Sequence, residues 1–338
     1  MAKCYLQVGI NNYHKVITGD EIDHLDDAAL ALTAQEVNVY ARTSPEHKLR
    51  LVQALQKNGE IVAMTGDGVN DVPALKQANI GIAMGRKGSE VSKEVADMVL
   101  ADDNFASIAH AIEEGRTIYD NIRKTLLFLL PANGGEALII IVAIILGNQL
   151  PISAVQILWV NMVTAVTFSL AIAFEPAEEN VMKRPPRQHH EPILSGWFIW
   201  RIVFSLSLMT IAGYTIFLYE RSINTDITAA RCAVVNMLVV AEFFYLLHNR
   251  KLYSSIWRLK NIFNNKVFAI SVMIVGILQI IFTYLPSMEH FFGVSPIGFN
   301  AWVRIFLLGG AMFAAVRLER LFISGRKLKL FEVKNSFV

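Results

Sequence analysis

Met64-Thr65-Gly66-Asp67-Gly68-Val69-Asn70-Asp71 follows a short apolar run and leads into Val72-Pro73-Ala74-Leu75-Lys76, which reads as a helix. Ligands commonly bind where a strand hands over to a helix in this way. Two carboxylates four residues apart, Asp67 and Asp71, stand among glycines that let the backbone turn tightly. They suit Mg²⁺, a hard cation that takes oxygen ligands. Upstream, Ser44 caps a helix with Pro45 in its first turn, and Leu49, Val52 and Leu55 recur on one face before Gly59. Lys48 in that region offers a positive charge to a phosphoryl group. Ile61–Met64, Ile80–Met84 and Met98–Leu100 read as strands, and Phe105–Lys124 as one long helix. Strands alternating with helices predict a parallel, doubly wound sheet. A lone Gly-Asp-Gly is usually a solvated turn; a seven-residue string carries more weight.

Outward from this region the composition changes. Residues 1–124 hold 31 charged side chains, an ordinary soluble proportion, whereas residues 125–338 hold only 29. A bilayer core takes about 20 apolar residues as a helix. Six segments qualify: 125–146, 154–174, 202–219, 232–247, 267–285 and 300–316. The first sixty residues contain no apolar stretch of the signal-peptide kind. A net charge of +2 leaves no nucleic-acid footprint. Cys4 and Cys232 are far apart, which excludes a disulfide scaffold or a cysteine-zinc site.

The connections between the segments set an orientation. Residues 147–153 and 286–299 lack Lys and Arg, whereas 175–196, 248–266 and the tail are rich in them. By the positive-inside rule the soluble part and the C-terminus are cytoplasmic. The chain is thus expected to be an integral, multi-pass membrane protein of the plasma membrane, with lipid as its surroundings.

Met64–Ala78 resembles the hinge motif of P-type cation-transporting ATPases, which carry a haloacid-dehalogenase-like phosphorylation domain. The resemblance continues through Ile80-Gly81-Ile82-Ala83-Met84-Gly85, Met98-Val99-Leu100-Ala101-Asp102-Asp103-Asn104 and Glu114-Gly115-Arg116-Thr117-Ile118-Tyr119. It extends to Trp159-Val160-Asn161-Met162-Val163-Thr164 and Arg184-Pro185-Pro186-Arg187, and the subgroup resembled contains calcium and sodium pumps. It implies an α/β haloacid-dehalogenase-like, Rossmann-like partial domain over residues 1–115. An all-α membrane domain of six transmembrane helices would follow over residues 116–338. By position it implies that Asp67 binds the catalytic Mg²⁺, with Thr65, Gly66 and Gly68 of the same loop binding the cofactor beside it. Asn70 and Asp71 would order the phosphate site, and Lys48 would contact the phosphoryl group. In this family ATP phosphorylates an aspartate, which is then hydrolysed to drive cation transport.

The departures are as informative. No D-K-T-G-T string occurs, nor the family's T-G-E-S and K-G-A motifs. Thr18-Gly19-Asp20 lies too close to the Lys48 segment to be the family's upstream T-G-D. The chain therefore reads as the C-terminal portion of a pump, inactive alone, with the nucleotide domain and phosphorylated aspartate elsewhere. The alternatives are a catalytically silent, membrane-anchored regulatory subunit and one half of a split pump whose N-terminal half is a separate partner.

Within the spans, ionisable and amide groups are costly and usually functional. Asn133 and Glu136 are three apart and are expected on one helix face. Pro131 and Gly134-Gly135 are expected to loosen that helix and free carbonyls for a cation. Asn161 and Thr164 repeat the spacing on the next span, and Glu242 adds a second carboxylate. In the family the matching positions ligate the transported cation. Calcium and sodium pumps place an aspartate after this Asn-x-x-Thr, where this chain has Ala165. His189 and His190 read as solvated loop residues.

Overall fold

The computed structural model describes residues 14–187, 192–223, 225–250 and 265–335, with backbone alone over 322–335. Cys4, the pair His189 and His190, and the basic residues of 251–264 lie outside the described residues. The chain forms two compact units, Met1–Ile112 and Glu113–Val338.

The first unit alternates strands and helices. Its elements run β1 (Val16–Thr18), α1 (Gly19–Asp23), α2 (Asp27–Glu36), β2 (Val39–Ala41), α3 (Pro45–Lys57) and β3 (Ala63–Gly66), then α4 (Val72–Gln77), β4 (Ile80–Met84), α5 (Glu90–Val95) and β5 (Met98–Leu100). All strand pairing is parallel: β1 lies beside β2, and a second sheet has the order β3-β4-β5. Ile22, Leu30, Ala34 and Ala54 form a small core between α1, α2 and α3. Ser44 caps α3, its hydroxyl accepting from the His47 backbone at 3.2 Å while His47 Nδ1 accepts from the Ser44 backbone at 3.1 Å.

Two details differ from the sequence expectation. Strand β3 begins two residues later than Ile61, because the Asn79 side chain and backbone bind Val62 and start the ladder at Ala63↔Ile80. Thr65 and Gly66 therefore lie inside the strand. Strands β1 and β2, three residues each, carry no sequence pattern long enough to read. Thr18-Gly19-Asp20 closes β1 and opens α1; both the amide and the hydroxyl of Thr18 donate to Glu21, at 2.7 and 2.9 Å.

The second unit is helical. Helix α6 runs unbroken from Phe105 to Ile145. Helices α7 (Ala154–Val160) and α8 (Val166–Ala173) flank one wide turn at Asn161–Ala165. Then come α9 (Gly196–Ser222), α10 (Ile227–Asn249), α11 (Lys266–Tyr284), α12 (Pro286–Phe292) and α13 (Phe299–Asn335). Among the described residues six stretches are long and apolar enough to cross a membrane: α6, α7–α8, α9, α10, α11 and Phe299–Leu321 of α13. They extend beyond several of the apolar limits read from sequence. Helix α9 starts at Gly196 and takes in Arg201, only 1% exposed, which donates to Asn249 at 3.2 Å and lies over the Trp197 ring. The charge is tolerated because it is bonded within the bundle.

Helix α10 is the most enclosed span and packs on α9 and α13. Ion pairs tie the segment after α8 to α6. Asn121 donates to the carbonyls of Ala173 and Glu175, Lys124 meets Glu178 at 3.3 Å, and Arg184 forks onto Asp120. Arg116 donates to the carbonyls of Val181 and Arg184, both at 2.9 Å.

The side chains of Lys124 and Glu178 are 1% and 2% exposed. Removing one partner of a buried pair typically costs about 3–5 kcal/mol. Lys124→Met should therefore lower the thermal unfolding midpoint of the membrane unit sharply, and Lys124→Met/Glu178→Leu should recover most of the loss. A single variant as stable as the parent in a detergent melt would contradict this account.

Candidate functional site

At the C-terminal edge of β3 the chain folds back through a short 3₁₀ turn, Val69–Asp71, into α4. The turn buries Asp71, 6% exposed, beneath Gly66. A Cβ at Gly66 would stand 2.5 Å from the Asp71 Cβ, so only glycine fits this approach. Lys48, in the first turn of α3, reaches across to Asp71 Oδ1 at 2.6 Å. Helix α3 is aimed by its own cap and by Arg50, which donates to the carbonyls of Ile22 and Leu25. Lys48 and Asp71, 23 residues apart, thus come together.

Asp67 and Asn70 stand on the exposed side of the same turn. Among the described residues the Asp67 carboxylate takes no hydrogen bond or ion pair. Its backbone carbonyl is held instead: Ser89 N–H donates to it at 2.8 Å and the Ser92 hydroxyl at 3.3 Å. Sequence reasoning missed these two serines. The available signal was Ser89 as the N-cap of α5, its hydroxyl accepting from Ser92 N–H at 3.2 Å. The loop before them is pinned by Asp103, which accepts from the amides of Arg86 and Lys87, both at 3.0 Å. The Arg86 amide above all holds the Asp103 carboxyl below the ordinary aspartate range. The folded-state value is depressed, so this support is present above the unfolded-state value and fades as pH falls through the folded one.

The membrane unit gathers a second group. Glu136 on α6 is 3% exposed and accepts from Asn161 Nδ2 at 2.8 Å. Glu242 on α10 is 2% exposed and lies beside Thr164, within electrostatic reach of Glu136. Thr164 is fully buried and donates to the Val160 carbonyl at 2.7 Å. Among the described residues Glu136 Oε1 and Glu242 Oε2 are buried with no hydrogen-bond partner. Four of the five expected residues therefore converge. Asn133 does not: it is exposed, although Glu136 three residues on is buried.

Pro131 and the glycines act differently from expectation. Helix α6 passes through Pro131 without a break, and the Gly135 carbonyl accepts from Thr210 at 3.3 Å. A Cβ at Gly135 would meet Met209 Cβ at 3.1 Å, so this glycine serves close packing against α9. The irregular backbone lies on the next span, where Val166 N–H bonds to the Asn161 carbonyl across one π-type turn. Such turns frequently occur at functional sites.

Comparison with known proteins gives this geometry its context. Residues 149–322 match the family described as cation transporting ATPase, C-terminus. The chain belongs to the cation-transporting ATPases. Residues 11–79 and 48–112 each match a haloacid dehalogenase-like hydrolase family, so a partial domain of that α/β class precedes the six membrane helices. The chain is 46% identical to the probable cation-transporting ATPase F of Mycobacterium tuberculosis over 90% of its own length and 34% of that protein. It is 41% identical to the cation-transporting ATPase pma1 of Synechocystis over 84% of its length and 32% of the relative. The calcium-transporting ATPase of Bacillus subtilis is 38% identical over 88% of the chain and 34% of the relative. The chain spans about a third of the length of the curated relatives it matches.

The loop's donor set fits Mg²⁺. Mg²⁺ usually takes one or two carboxylates and completes its shell with water and phosphate oxygens. Asp67 presents such a carboxylate outward, while the buried Asp71 is already paired with Lys48. Among the described residues no cluster of three or more His, Cys, Asp and Glu side chains forms a closed metal cage.

Gly66→Ala tests the packing of this loop. The added methyl must push Asp71 away, and overpacking of this kind costs about 1–3 kcal/mol. Amides of β3 and of the 3₁₀ turn should exchange several-fold faster with deuterium, those of α2 unchanged. Unaltered exchange at Gly66–Asp71 would show that the turn has room.

Proposed function

We propose that this chain supplies the Mg²⁺/phosphate loop and half of the membrane cation site of an ATP-driven cation pump, the aspartyl-phosphate forming on an aspartate outside residues 1–338. The observation that carries the reading is the pair of buried membrane carboxylates, Glu136 and Glu242, each with one oxygen that no neighbouring group bonds. A buried carboxylate needs a counter-charge or a proton. A transported cation supplies that charge, with the oxygens of Asn161 and Thr164 completing its shell.

In the soluble unit, Asp67 would hold Mg²⁺, Asn70 would face the same opening, and Lys48 would offer its ammonium to phosphoryl oxygens while anchoring on Asp71. Bound Mg²⁺ supplies charge neutralisation for phosphoryl transfer from ATP. Thr65, Gly66 and Gly68 shape the turn without touching the reaction. The exposed Asp67 carboxylate argues against the silent-subunit reading, since a loop kept for structure alone would gain from pairing it. The membrane is read as the plasma membrane with the soluble unit and C-terminus cytoplasmic, supported by the basic residues of 175–196 and 248–266.

The ion is the finer question. The Bacillus subtilis relative is named a calcium-transporting ATPase, but the mycobacterial one only a cation-transporting ATPase. Ca²⁺ takes 6–8 oxygens, several of them anionic. Glu136 and Glu242 with neutral oxygens suit a monovalent cation or one weakly held divalent ion, because Ala165 removes a carboxylate.

The test is the reassembled pump, with the remaining two-thirds of a relative-like chain supplied in cis or in trans. Asp67→Ala should lower ATP turnover by about 10²–10³-fold, the range for losing one group aimed at a developing charge, and Glu136→Gln should remove the stimulation of turnover by the cation. Normal turnover in both would leave the two sites structural only. Across Na⁺, K⁺, Ca²⁺, Mg²⁺ and Mn²⁺, Ala165→Asp should shift stimulation toward divalent ions. Micromolar Ca²⁺ activation of the parent, two ions per phosphoenzyme, would instead mean that other residues replace the missing acid.

A further inference from the structure

Helices α11 and α13 are the two spans least enclosed by the rest of the protein. At one end they are joined: Trp302 Nε1 donates to the Tyr284 hydroxyl at 2.8 Å, and that hydroxyl donates to the Ile297 carbonyl at 3.0 Å. From this junction a cleft of about 520 Å³ extends along α11. Its walls include Phe168 of α8, Val240 and Phe243 of α10, Val275 and Gly276 of α11, and Phe306 of α13. The polar side chains on its wall are already engaged. Gln279 donates to Asn236 at 3.0 Å and accepts from Trp159 at 3.4 Å, and Tyr284 and Trp302 bond each other. The wall thus offers an occupant carbon surface, which excludes a cation or a polar solute as its ligand.

Dimensions select among apolar occupants. Lining residues on α11 run from Val272 to Tyr284. At 1.5 Å per residue that is about 18 Å, close to the roughly 15 Å depth of one leaflet of a bilayer core. An extended hydrocarbon chain matches that length and asks only carbon contact of a wall whose polar groups are already satisfied. A helix from a second copy is the competing occupant, which the dimer outcome of the test below reads. Ile280 on its wall belongs to an exposed apolar side of α11 that also carries Met273, Ile274 and Ile277. No atom lies within 4 Å of where a Gly276 Cβ would stand. Tyr284 and Trp302 close the far end with the aromatic, half-polar groups typical of the membrane–water boundary.

We propose that this cleft is a binding site for one acyl chain of a membrane lipid, lying lengthwise between α11 and α13 with its headgroup end at Tyr284 and Trp302. The inference rests on the chain being a membrane protein and is independent of what it transports. The site is also placed to matter, because Phe168 lies four residues beyond Thr164 and packs edge-on against Phe128 of α6 at 6.0 Å. A resident chain would brace α8 one turn from the buried carboxylates.

The experiment uses the full chain, extracted in mild detergent, stripped by detergent exchange and supplied with dioleoyl phosphatidylcholine, bound lipid being counted by native mass spectrometry. The parent and Gly276→Ala should retain one lipid per chain, and Gly276→Phe should retain at least tenfold less. Val240→Trp, filling the cleft from the opposite wall, should do the same and guards against a folding defect confined to α11. Oleoyl lysophosphatidylcholine, with one chain, should compete; glycerophosphocholine, with none, should not. Four outcomes would overturn the proposal. They are no retained lipid on the parent, equal retention in both filled variants, competition by glycerophosphocholine, and a lipid-free dimer that Gly276→Phe dissociates.

Discussion

A carboxylate sealed inside a helical bundle must be paired, protonated or bound to a cation, because a bare buried charge costs several kcal/mol. That constraint organises the membrane unit. Asp120 has Arg184, Glu175 has Arg250 and Asn265, Glu178 has Lys124, and Glu220 has Arg304. Each of these acids fixes one element against another. Glu136 has only the neutral amide of Asn161, and Glu242 stands beside the hydroxyl of Thr164. Among the described residues no cationic side chain forms an ion pair with either. Partnering alone does not single out these two acids, since both carboxylate oxygens of Glu319 on α13 are also buried without a hydrogen-bond partner among the described residues; what sets Glu136 and Glu242 apart is that they lie within reach of each other.

The sequence made different parts of this legible for physical reasons. A bilayer-crossing helix needs a continuous apolar run, so the number of spans could be counted from hydropathy alone. Their ends could not, because Arg201 enters the bundle only through Asn249, 48 positions away, and the Trp197 ring. The 65–71 loop was readable because its residues act within one turn. Ser89 and Ser92 were not, since they grip it through a backbone carbonyl, which no side-chain pattern records. The three-residue strands β1 and β2 exist by pairing with each other, and such short strands leave no periodicity behind.

Pro131 and the wide turn at Asn161–Ala165 show how packing overrides a local rule. Proline removes the donor that the Leu127 carbonyl would otherwise meet, which favours a kink. Yet Leu127, Phe128, Pro131 and Ala132 are all buried, and α6 continues through them as one helix. On the next span no proline or glycine intervenes. There the Thr164 hydroxyl bonds the Val160 carbonyl at 2.7 Å, a back-bond of the kind that bends helices. The ladder widens so that Val166 N–H reaches Asn161 instead. The residue type proposed as a ligand is therefore also the one that distorts the backbone carrying it.

The same span holds the last step of the argument. Asn161 presents its amide nitrogen to Glu136, a donor meeting a carboxylate. A cation has no use for a donor; ligation by Asn161 requires its oxygen. The amide holds Oε2 of Glu136, while Oε1 has no hydrogen-bond partner among the described residues. Hydrogen bonds to charged groups are worth about 1.5–3 kcal/mol, so a cation must supply more than that before Oε2 is released. Neutral Ala165 adds no further charge to help. On the reading proposed above, a cation would enter at Oε1 of Glu136 and gain the Asn161 oxygen only by displacing its amide from Oε2.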